Sequence, residues 1–371
     1  MKDEKPFAML RGADVPAAYV TSPLATYRGN PLIEALPPLL PLNDVVDKLS
    51  NVIPIHESER ELDATLRAHC VFQLTRFVEP LENHLKIEQN LSIVIRDSYV
   101  DRNPLTANGI RILREGAENV AKEMNSQNIE VTRSYKTSGS GLTIIGVSGM
   151  GKTTAINSIL LKMYPAQVIR HGIYQNRSLN FPQIVWLKME TPPSGSMKGL
   201  CLNFFQMIDQ LLGTKYYETF KRSRASAVEL IPEMAQLCAT YRIGVLGFDE
   251  IQHLLSANVG GQDEMLNFFV TLKNAIGVPI VLLGTLKAMD LLTKKDFRGT
   301  KRATEYFGIT MWDRMQANED NEMNEDFLRL LKAIWNYQWT QNVAVLDERM
   351  INTMYEYSQG ITDVATLKIL H

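Results

Sequence analysis

Gly146-Val-Ser-Gly-Met-Gly-Lys-Thr153 is the stretch on which the fold turns. The octet fits G-x-x-x-x-G-K-[ST]. The apolar run before it, Leu142-Thr-Ile-Ile-Gly-Val147, reads as a buried strand, and Thr153-Thr-Ala-Ile-Asn after it reads as the start of a helix. In that context the spacing has a physical purpose. Glycines let backbone N–H groups turn toward a phosphate, and a helix N-terminus adds partial positive charge. Lys152 is expected to reach the β- and γ-phosphates of a nucleotide, and the Thr153 hydroxyl to bind Mg²⁺. The expected nucleotide contacts are Gly146, Ser148, Gly149, Met150, Gly151, Lys152, Thr153 and Thr154. The alternative is a glycine-rich turn with no ligand.

Further along, Ile243-Gly-Val-Leu-Gly-Phe-Asp-Glu250 is an apolar strand ending in two acids. Asp249 is expected to complete the Mg²⁺ shell through water. Glu250 stands where a general base could polarise an attacking water. Alone, the pair could equally be a helix cap beside its dipole; downstream of a phosphate loop it points to hydrolysis. A nucleoside kinase would have no job for Glu250.

Around these motifs the chain alternates short apolar runs with helical stretches. Leu142–Val147, Ile184–Lys188, Ile243–Phe248, Pro279–Leu283 and Tyr306–Met311 read as strands. That is the signature of an α/β fold with a parallel sheet flanked by helices. Four regions are expected: an extended arm over residues 1–45, a mainly helical region over 46–140, the nucleotide-binding core over 141–318, and a helical lid over 319–371. In the arm, prolines argue against any helix, while Ile33, Leu36, Leu39 and Leu40 suit burial; a disordered tail is the alternative. The first helix is expected from Leu42 with Asn43 as its cap, and Ala107 to Asn125 is a second amphipathic stretch. Thr137-Ser-Gly-Ser-Gly141 reads as a flexible approach to the core. The lid helices are expected over Asn324–Trp339, Leu346–Tyr357 and from Asp363 onward.

Composition narrows the class. A chain of 371 residues can bury a core without staples. Its three cysteines, Cys70, Cys201 and Cys238, have no paired or ligand spacing, which favours reduced thiols and a cytoplasmic protein. The six histidines form no metal pattern. No eighteen-residue apolar run predicts a membrane span, and the first residues lead into no secretory h-region. A net charge of −2 means that any nucleic-acid surface must be a local patch.

The order phosphate loop, intervening strand, Asp-Glu strand, further strand and helical lid resembles that of AAA+ ATPases. Several stretches resemble, more narrowly, the TnsC/TniB-type transposition regulator ATPases. They are Tyr27-Arg-Gly-Asn-Pro-Leu-Ile-Glu-Ala-Leu-Pro-Pro38, Ile95-Arg-Asp-Ser-Tyr-Val-Asp-Arg-Asn-Pro104, Cys201-Leu-Asn-Phe-Phe205, Asp249-Glu-Ile-Gln-His-Leu254, Met265-Leu-Asn-Phe-Phe-Val270 and Ser358-Gln-Gly360. The resemblance implies an ATP- and Mg²⁺-dependent ATPase that self-associates into a ring or helical oligomer around duplex DNA. It also implies a target-selection protein and transposase subunits as partners, with hydrolysis setting the lifetime of the assembly. By the same resemblance Thr285, at the end of Val278-Pro-Ile-Val-Leu-Leu-Gly-Thr285, senses the γ-phosphate; a plain turn residue is the alternative. Relatives often carry a sensor-2 arginine at the start of the third lid helix, where Gly360-Ile-Thr-Asp363 here places an acid, with Lys368 the next cation along. They also continue beyond the point where this chain stops, so a C-terminally truncated chain is expected.

Two basic patches remain. Lys294-Lys-Asp-Phe-Arg-Gly-Thr-Lys-Arg302 holds five cations and one acid. In AAA+ relatives this region presents an arginine finger to a neighbour, so Arg298 and Arg302 are candidates, with Arg314 a third; a solvated charge run is the alternative. Lys215-Tyr-Tyr-Glu-Thr-Phe-Lys-Arg-Ser-Arg224 interleaves cations with aromatics, which suits a phosphate backbone. Lys198, Arg222 and Arg224 are the expected duplex contacts, an exposed helix end being the alternative. The Met and Phe residues at 204–208 and 265–269 are expected in the core. Two other readings stay open: a replication initiator or helicase loader, and a nucleotide-switched signalling scaffold.

Overall fold

The computed structural model describes residues 9–112, 114, 141–223, 225–256, 278–290, 308–317 and 322–370; the side chains of 228 and 367–370 lie outside that description. In chain order its elements begin β1 (Ala13–Pro16), α1 (Pro31–Glu34), α2 (Leu42–Leu49), α3 (Ala64–Val71) and α4 (Glu82–Val100). They continue β2 (Leu142–Gly146), α5 (Lys152–Met163), β3 (Ala166–Tyr174), β4 (Arg177–Ile184), β5 (Trp186–Glu190), α6 (Met197–Leu212), α7 (Tyr216–Arg222) and α8 (Ala227–Thr240). The last are β6 (Val245–Asp249), β7 (Ile280–Thr285), β8 (Ile309–Trp312), α9 (Glu325–Trp335), α10 (Glu348–Ser358) and α11 (Thr362–Leu370).

The main sheet has five strands in the order β5-β6-β7-β2-β8. β5 pairs parallel with β6 from Trp186↔Val245 to Glu190↔Asp249, and β6 with β7 from Leu246↔Ile280 to Phe248↔Leu282. Every residue of β2 and β6 is buried, as expected of strands covered on both faces. The strands expected from sequence are present with shifted ends, and residues 306 and 307 of the last one lie outside the described residues. One expectation needs correction. Ile184–Lys188 is not a single strand: β4 ends at Ile184 and β5 begins at Trp186. β4 belongs to a second sheet, β1-β3-β4, built on an antiparallel β3–β4 hairpin. Its turn residues Gln175 and Asn176 have φ of 46° and 64°, the primed two-residue geometry that suits strand twist.

By compactness the chain divides into two units, residues 1–39, 89–145 and 164–310, and residues 40–88, 146–163 and 311–371. In the first, α6 and α8 pack on β5 and β6. Phe204, Phe205, Met207 and Ile208 are fully buried, as expected; residues 265–269 lie outside the described residues. Ser196 caps the start of α6, and Gly213 ends it at φ 72°, the left-handed stop that glycine takes without strain. A Ser226–Glu229 capping box starts α8.

The N-terminal segment is fastened to the end of α4. Here a helix does form, against expectation: α1 is one turn with Pro31 in its first turn and Asn30 as the cap, where proline's missing N–H costs nothing. Leu32, Ile33 and Leu36 are buried, whereas Leu39 stays exposed. Asn30 Nδ2 donates to the Tyr99 carbonyl at 2.6 Å, Asn103 Nδ2 to Gly29 at 3.2 Å, and Arg96 to Pro37 at 2.6 Å. Next to them Arg102 is only 1% exposed. Its guanidinium donates to the Ser98 carbonyl at 2.7 Å, the Ile243 carbonyl at 2.8 Å and Ser98 Oγ at 2.7 Å. Burial lowers its pKa to about 10, which leaves it charged at neutral pH.

In the second unit α2 lies on α5, where Lys162 Nζ donates to the carbonyls of Leu49 and Ser50 at 2.8 and 2.9 Å. Pro41, not Asn43, precedes α2, and no side chain caps it. Asn324 caps α9, whose Phe327, Leu330, Leu331 and Ile334 are buried. The Ile53 N–H donates to the Tyr337 hydroxyl at 3.1 Å, and Trp339 Nε1 donates to Glu59 at 2.7 Å. Of the stretch from Ala107 to Asn125, residues 107–112 are helical and most of the rest lies outside the described residues.

Arg102→Leu would leave the Ile243 and Ser98 carbonyls buried without this donor. Two such groups cost about 2–5 kcal/mol together. Urea denaturation should show a lower midpoint with an unchanged slope; a shift under about 1 kcal/mol would mean that these bonds are not what holds α4 to the strand.

Candidate functional site

The phosphate-loop motif lies between β2 and α5. Gly149 and Gly151 have φ of 81° and 86°, a region that L side chains enter only at a cost. A Cβ at Gly146 would lie 1.9 Å from the Trp312 carbonyl oxygen, so this position needs glycine for a different reason, close backbone approach. The Val147 N–H donates to that same carbonyl at 3.2 Å. Met150 is buried and anchors the loop, while Ser148 and Thr154 are exposed and Thr153 is half-buried. Lys152 opens α5 and folds back over the loop, donating to the carbonyls of Gly146 at 3.1 Å and Val147 at 2.7 Å. Its ammonium therefore sits on the loop that the motif builds for phosphate.

α11 starts against this loop. The Asp363 N–H donates to the Gly149 carbonyl at 3.0 Å, and a methyl group at Gly149 would meet Ile361 Cγ2 at 3.1 Å. Burial holds the Asp363 carboxyl above the usual carboxylate range, while Lys152 pulls it the other way. The start of the third lid helix thus offers the loop an acid and a backbone N–H. Lys368 has no described side chain.

The acidic strand end is built in the other unit. Asp249 is 4% exposed. Its Oδ2 pairs with Lys188 Nζ at 2.7 Å, and its Oδ1 accepts the Glu250 N–H at 2.9 Å. Its carbonyl accepts from the Thr191 N–H at 2.9 Å, continuing the β5–β6 register. Glu250 has φ of 56°, a conformation that costs about 1–3 kcal/mol for such a residue and clusters at functional sites. The Gln252 amide donates to the Glu250 carboxylate and accepts the Thr285 N–H at 3.1 Å. One side chain thus joins the ends of β6 and β7. Thr285 Oγ1 is buried with no hydrogen-bond partner among the described residues. An orphaned hydroxyl at this strand end suits a group that must meet a ligand oxygen.

Each unit by itself carries a hard oxygen donor of the kind that suits Mg²⁺, the Thr153 hydroxyl in one and the Asp249 carboxylate in the other.

Lys188 and Gln252 escaped the sequence reading. Lys188 carried a signal, because it is a charge inside the apolar run Val185-Trp-Leu-Lys-Met189. Of the expected duplex contacts, Lys198 is half-buried and donates to the Ala225 carbonyl at 2.7 Å. Arg222 is exposed beside Glu218 at 3.1 Å. Arg224, Arg298 and Arg302 lie outside the described residues, and Arg314 is half-buried.

Residues 135–292 match the family model of the AAA domain. With the five-stranded order above, this gives the core the AAA+ P-loop NTPase fold. Two solved structures are similar over much of the chain. One is a Walker-type ATPase of Pyrococcus abyssi, at 15% identity and a TM-score of 0.36, covering 70% of this chain and 65% of that one. The other is the Orc1 protein of Aeropyrum pernix, solved in complex with DNA, at 13% identity and a TM-score of 0.39, covering 74% of this chain and 61% of that one. The chain thus spans less than two thirds of either, and at this distance neither assigns it a ligand or a partner. No curated protein matches. Among the described residues no helix is long and apolar enough to cross a membrane.

Gly149→Ala and Gly151→Ala should separate strain from packing. Both place a side chain at positive φ, at about 1–2 kcal/mol. Only Gly149→Ala also crowds Ile361; no described residue lies within 4 Å of a Cβ at Gly151. Urea midpoints should therefore fall further for Gly149→Ala. Equal losses would mean that the start of α11 gives way freely.

Proposed function

We propose that this chain is an ATP-hydrolysing AAA+ protein that assembles on duplex DNA and regulates transposition. The observation that carries the ATPase part is the loop between β2 and α5, turned by two left-handed glycines, with Lys152 over its carbonyls. In this reading Lys152 and Thr153 hold the phosphates, and Asp249 orders water in the metal's shell. Glu250 takes the proton of the attacking water, and Thr285 reads the γ-phosphate through a hydroxyl that has no hydrogen-bond partner among the described residues. Mg²⁺, when bound, neutralises phosphate charge. Arg298 or Arg302 of a neighbouring copy stabilises the transferred charge.

Duplex DNA, a target-selection protein and transposase subunits enter the proposal through the TnsC/TniB resemblance. Lys198, Arg222 and Arg224 are its DNA contacts. With a net charge of −2, contact with the phosphate backbone in this reading is confined to local cations such as the exposed Arg222.

Lys152→Ala tests nucleotide binding. A lost charge-assisted contact costs roughly 1.5–3 kcal/mol, so ATP affinity in a direct titration should fall about tenfold or more. Unchanged affinity would rule out the loop as the phosphate site.

Glu250→Gln tests hydrolysis and its purpose. Glutamine keeps the shape but cannot take the proton, so ATP turnover should fall by about 10²–10⁴-fold while ATP binding survives. If hydrolysis sets the lifetime of a DNA-bound oligomer, the variant should form long-lived assemblies on duplex DNA with ordinary ATP. A slow variant that leaves DNA as fast as the wild type would remove the timer and keep the ATPase.

A further inference from the structure

α11 begins at Thr362 and lies in the same compact unit as the loop between β2 and α5. The Asp363 N–H donates to the Gly149 carbonyl at 3.0 Å. A Cβ at Gly149 would lie 3.4 Å from Asp363 Oδ2. The carboxyl therefore stands on the loop itself, beside a glycine whose φ of 81° turns it. Lys152 acts on this carboxyl through space, and its ammonium rests on the Gly146 and Val147 carbonyls of the same loop. An acid in the first turn of a helix is ordinary, because it complements the helix dipole. An acid standing on a phosphate-loop motif is not, because such a loop attracts anions with N–H groups and positive charge.

The repulsion between a carboxylate and a bound anion grows with the charge of the anion. A terminal phosphate adds negative charge at the end of the nucleotide that Lys152 would hold, where Asp363 already draws on the same ammonium. The acid thus opposes a triphosphate more than a diphosphate. Asp363 is exposed, so water weakens this repulsion without abolishing it. We infer that Asp363 is a specificity-determining residue that holds down the preference of this loop for a nucleoside triphosphate over the diphosphate. The consequence is that loss of the terminal phosphate relieves a repulsion, and the diphosphate product is retained on the loop.

The inference rests on the reading of the loop between β2 and α5 as the phosphate site. ADP and adenylyl imidodiphosphate, a triphosphate analogue that is not hydrolysed, are each titrated with Mg²⁺ into the full chain by calorimetry, and urea midpoints are recorded beside them. Asp363→Asn keeps the shape and removes the charge. Its affinity for the triphosphate analogue should rise at least about fivefold and its affinity for ADP by a smaller factor, so that the ratio of the two dissociation constants moves toward the triphosphate. Asp363→Glu, which keeps the charge, should hold the wild-type ratio. Should Asp363→Asn not fold, Asp363→Ser is read in its place. A merely structural acid in the first turn of α11 would lower the urea midpoint and leave the ratio where it was; that result overturns the inference, as does an equal gain for both nucleotides. Lys152→Ala separates this failure from that of the underlying reading. If Lys152→Ala loses nucleotide affinity while Asp363→Asn leaves the ratio unchanged, the phosphate site stands and the inference falls. If Lys152→Ala binds as the wild type does, or the wild type binds neither nucleotide, the phosphate site falls and takes the inference with it.

Discussion

The guanidinium of Arg102 is buried, and its hydrogen bonds run to the neutral oxygens of Ser98 and Ile243. Around it the last turn of α4 takes up the backbone ahead of β6. Tyr99 donates its hydroxyl proton to the Arg242 carbonyl at 2.8 Å, and Ser98 Oγ donates to Gly244 at 3.3 Å. Gly244 has to be glycine, since a Cβ there would lie 2.4 Å from the Val185 carbonyl and 2.5 Å from the Tyr99 hydroxyl. These contacts fix where β6 begins. Because a strand advances about 3.3 Å per residue, they also fix where it ends, and its last residue is Asp249. The segment Ile95–Pro104 thus acts far from any ligand chemistry, yet it sets the position of the acidic pair. The same segment holds the N-terminal stretch, the Tyr99 carbonyl accepting from Asn30 and Asn103 and Arg96 donating to Gly29 and Pro37, so both that stretch and the site strand hang on one helix end.

At the far end of β6 the structure spends stability on charge and strain. Asp249 keeps a buried lysine, and Glu250 is held at positive φ. A stable sheet needs neither. Both become intelligible when the strand end must present one carboxylate in a fixed orientation and a second just beyond it. Gln252 adds a constraint of its own, because its amide is shared between Glu250 and the backbone of Thr285. A shift of β7's end would therefore pull on the carboxylate of Glu250, which couples the residue that would meet the γ-phosphate to the one that would activate water.

Much of this was legible in the sequence. A glycine-rich octet between an apolar strand and a helix leaves little freedom, so Gly149, Gly151 and Lys152 fall where the motif puts them. Apolar runs ending in Asp-Glu and in Thr gave β6 and β7 for the same reason, that fully buried strands leave an uninterrupted apolar trace. The β3–β4 hairpin was missed because its turn is Gln175-Asn176, without the glycine that usually marks such turns. The first turn of α1 was missed because proline was counted against a helix that proline can start. Lys188 was overlooked for a deeper reason. Its partner lies 61 positions away (249 − 188), and only the parallel register of β5 on β6 brings the two together. The six residues of the Tyr27–Pro38 and Ile95–Pro104 stretches that bond one another show the reverse case, where a resemblance pointed to residues whose work turns out to be packing.

The start of α11 gives the loop between β2 and α5 an acid and a backbone N–H. Asp363 meets the loop through its backbone N–H, while its carboxyl lies in the field of Lys152. A negative side chain there cannot attract a phosphate, and it competes for the charge of the very lysine that would bind one. Within its own unit, Lys152 is then the cation left to the loop for a terminal phosphate in the proposed function. Under the proposed function, part of the charge that stabilises the transferred group comes from a neighbour, and an isolated subunit is then a poor hydrolase. Since the N–H of Asp363 is bonded to Gly149, any rearrangement of the loop around a phosphate is also felt by α11. The loop and α11 are thus joined by a backbone hydrogen bond, with the carboxyl of Asp363 in the field of Lys152.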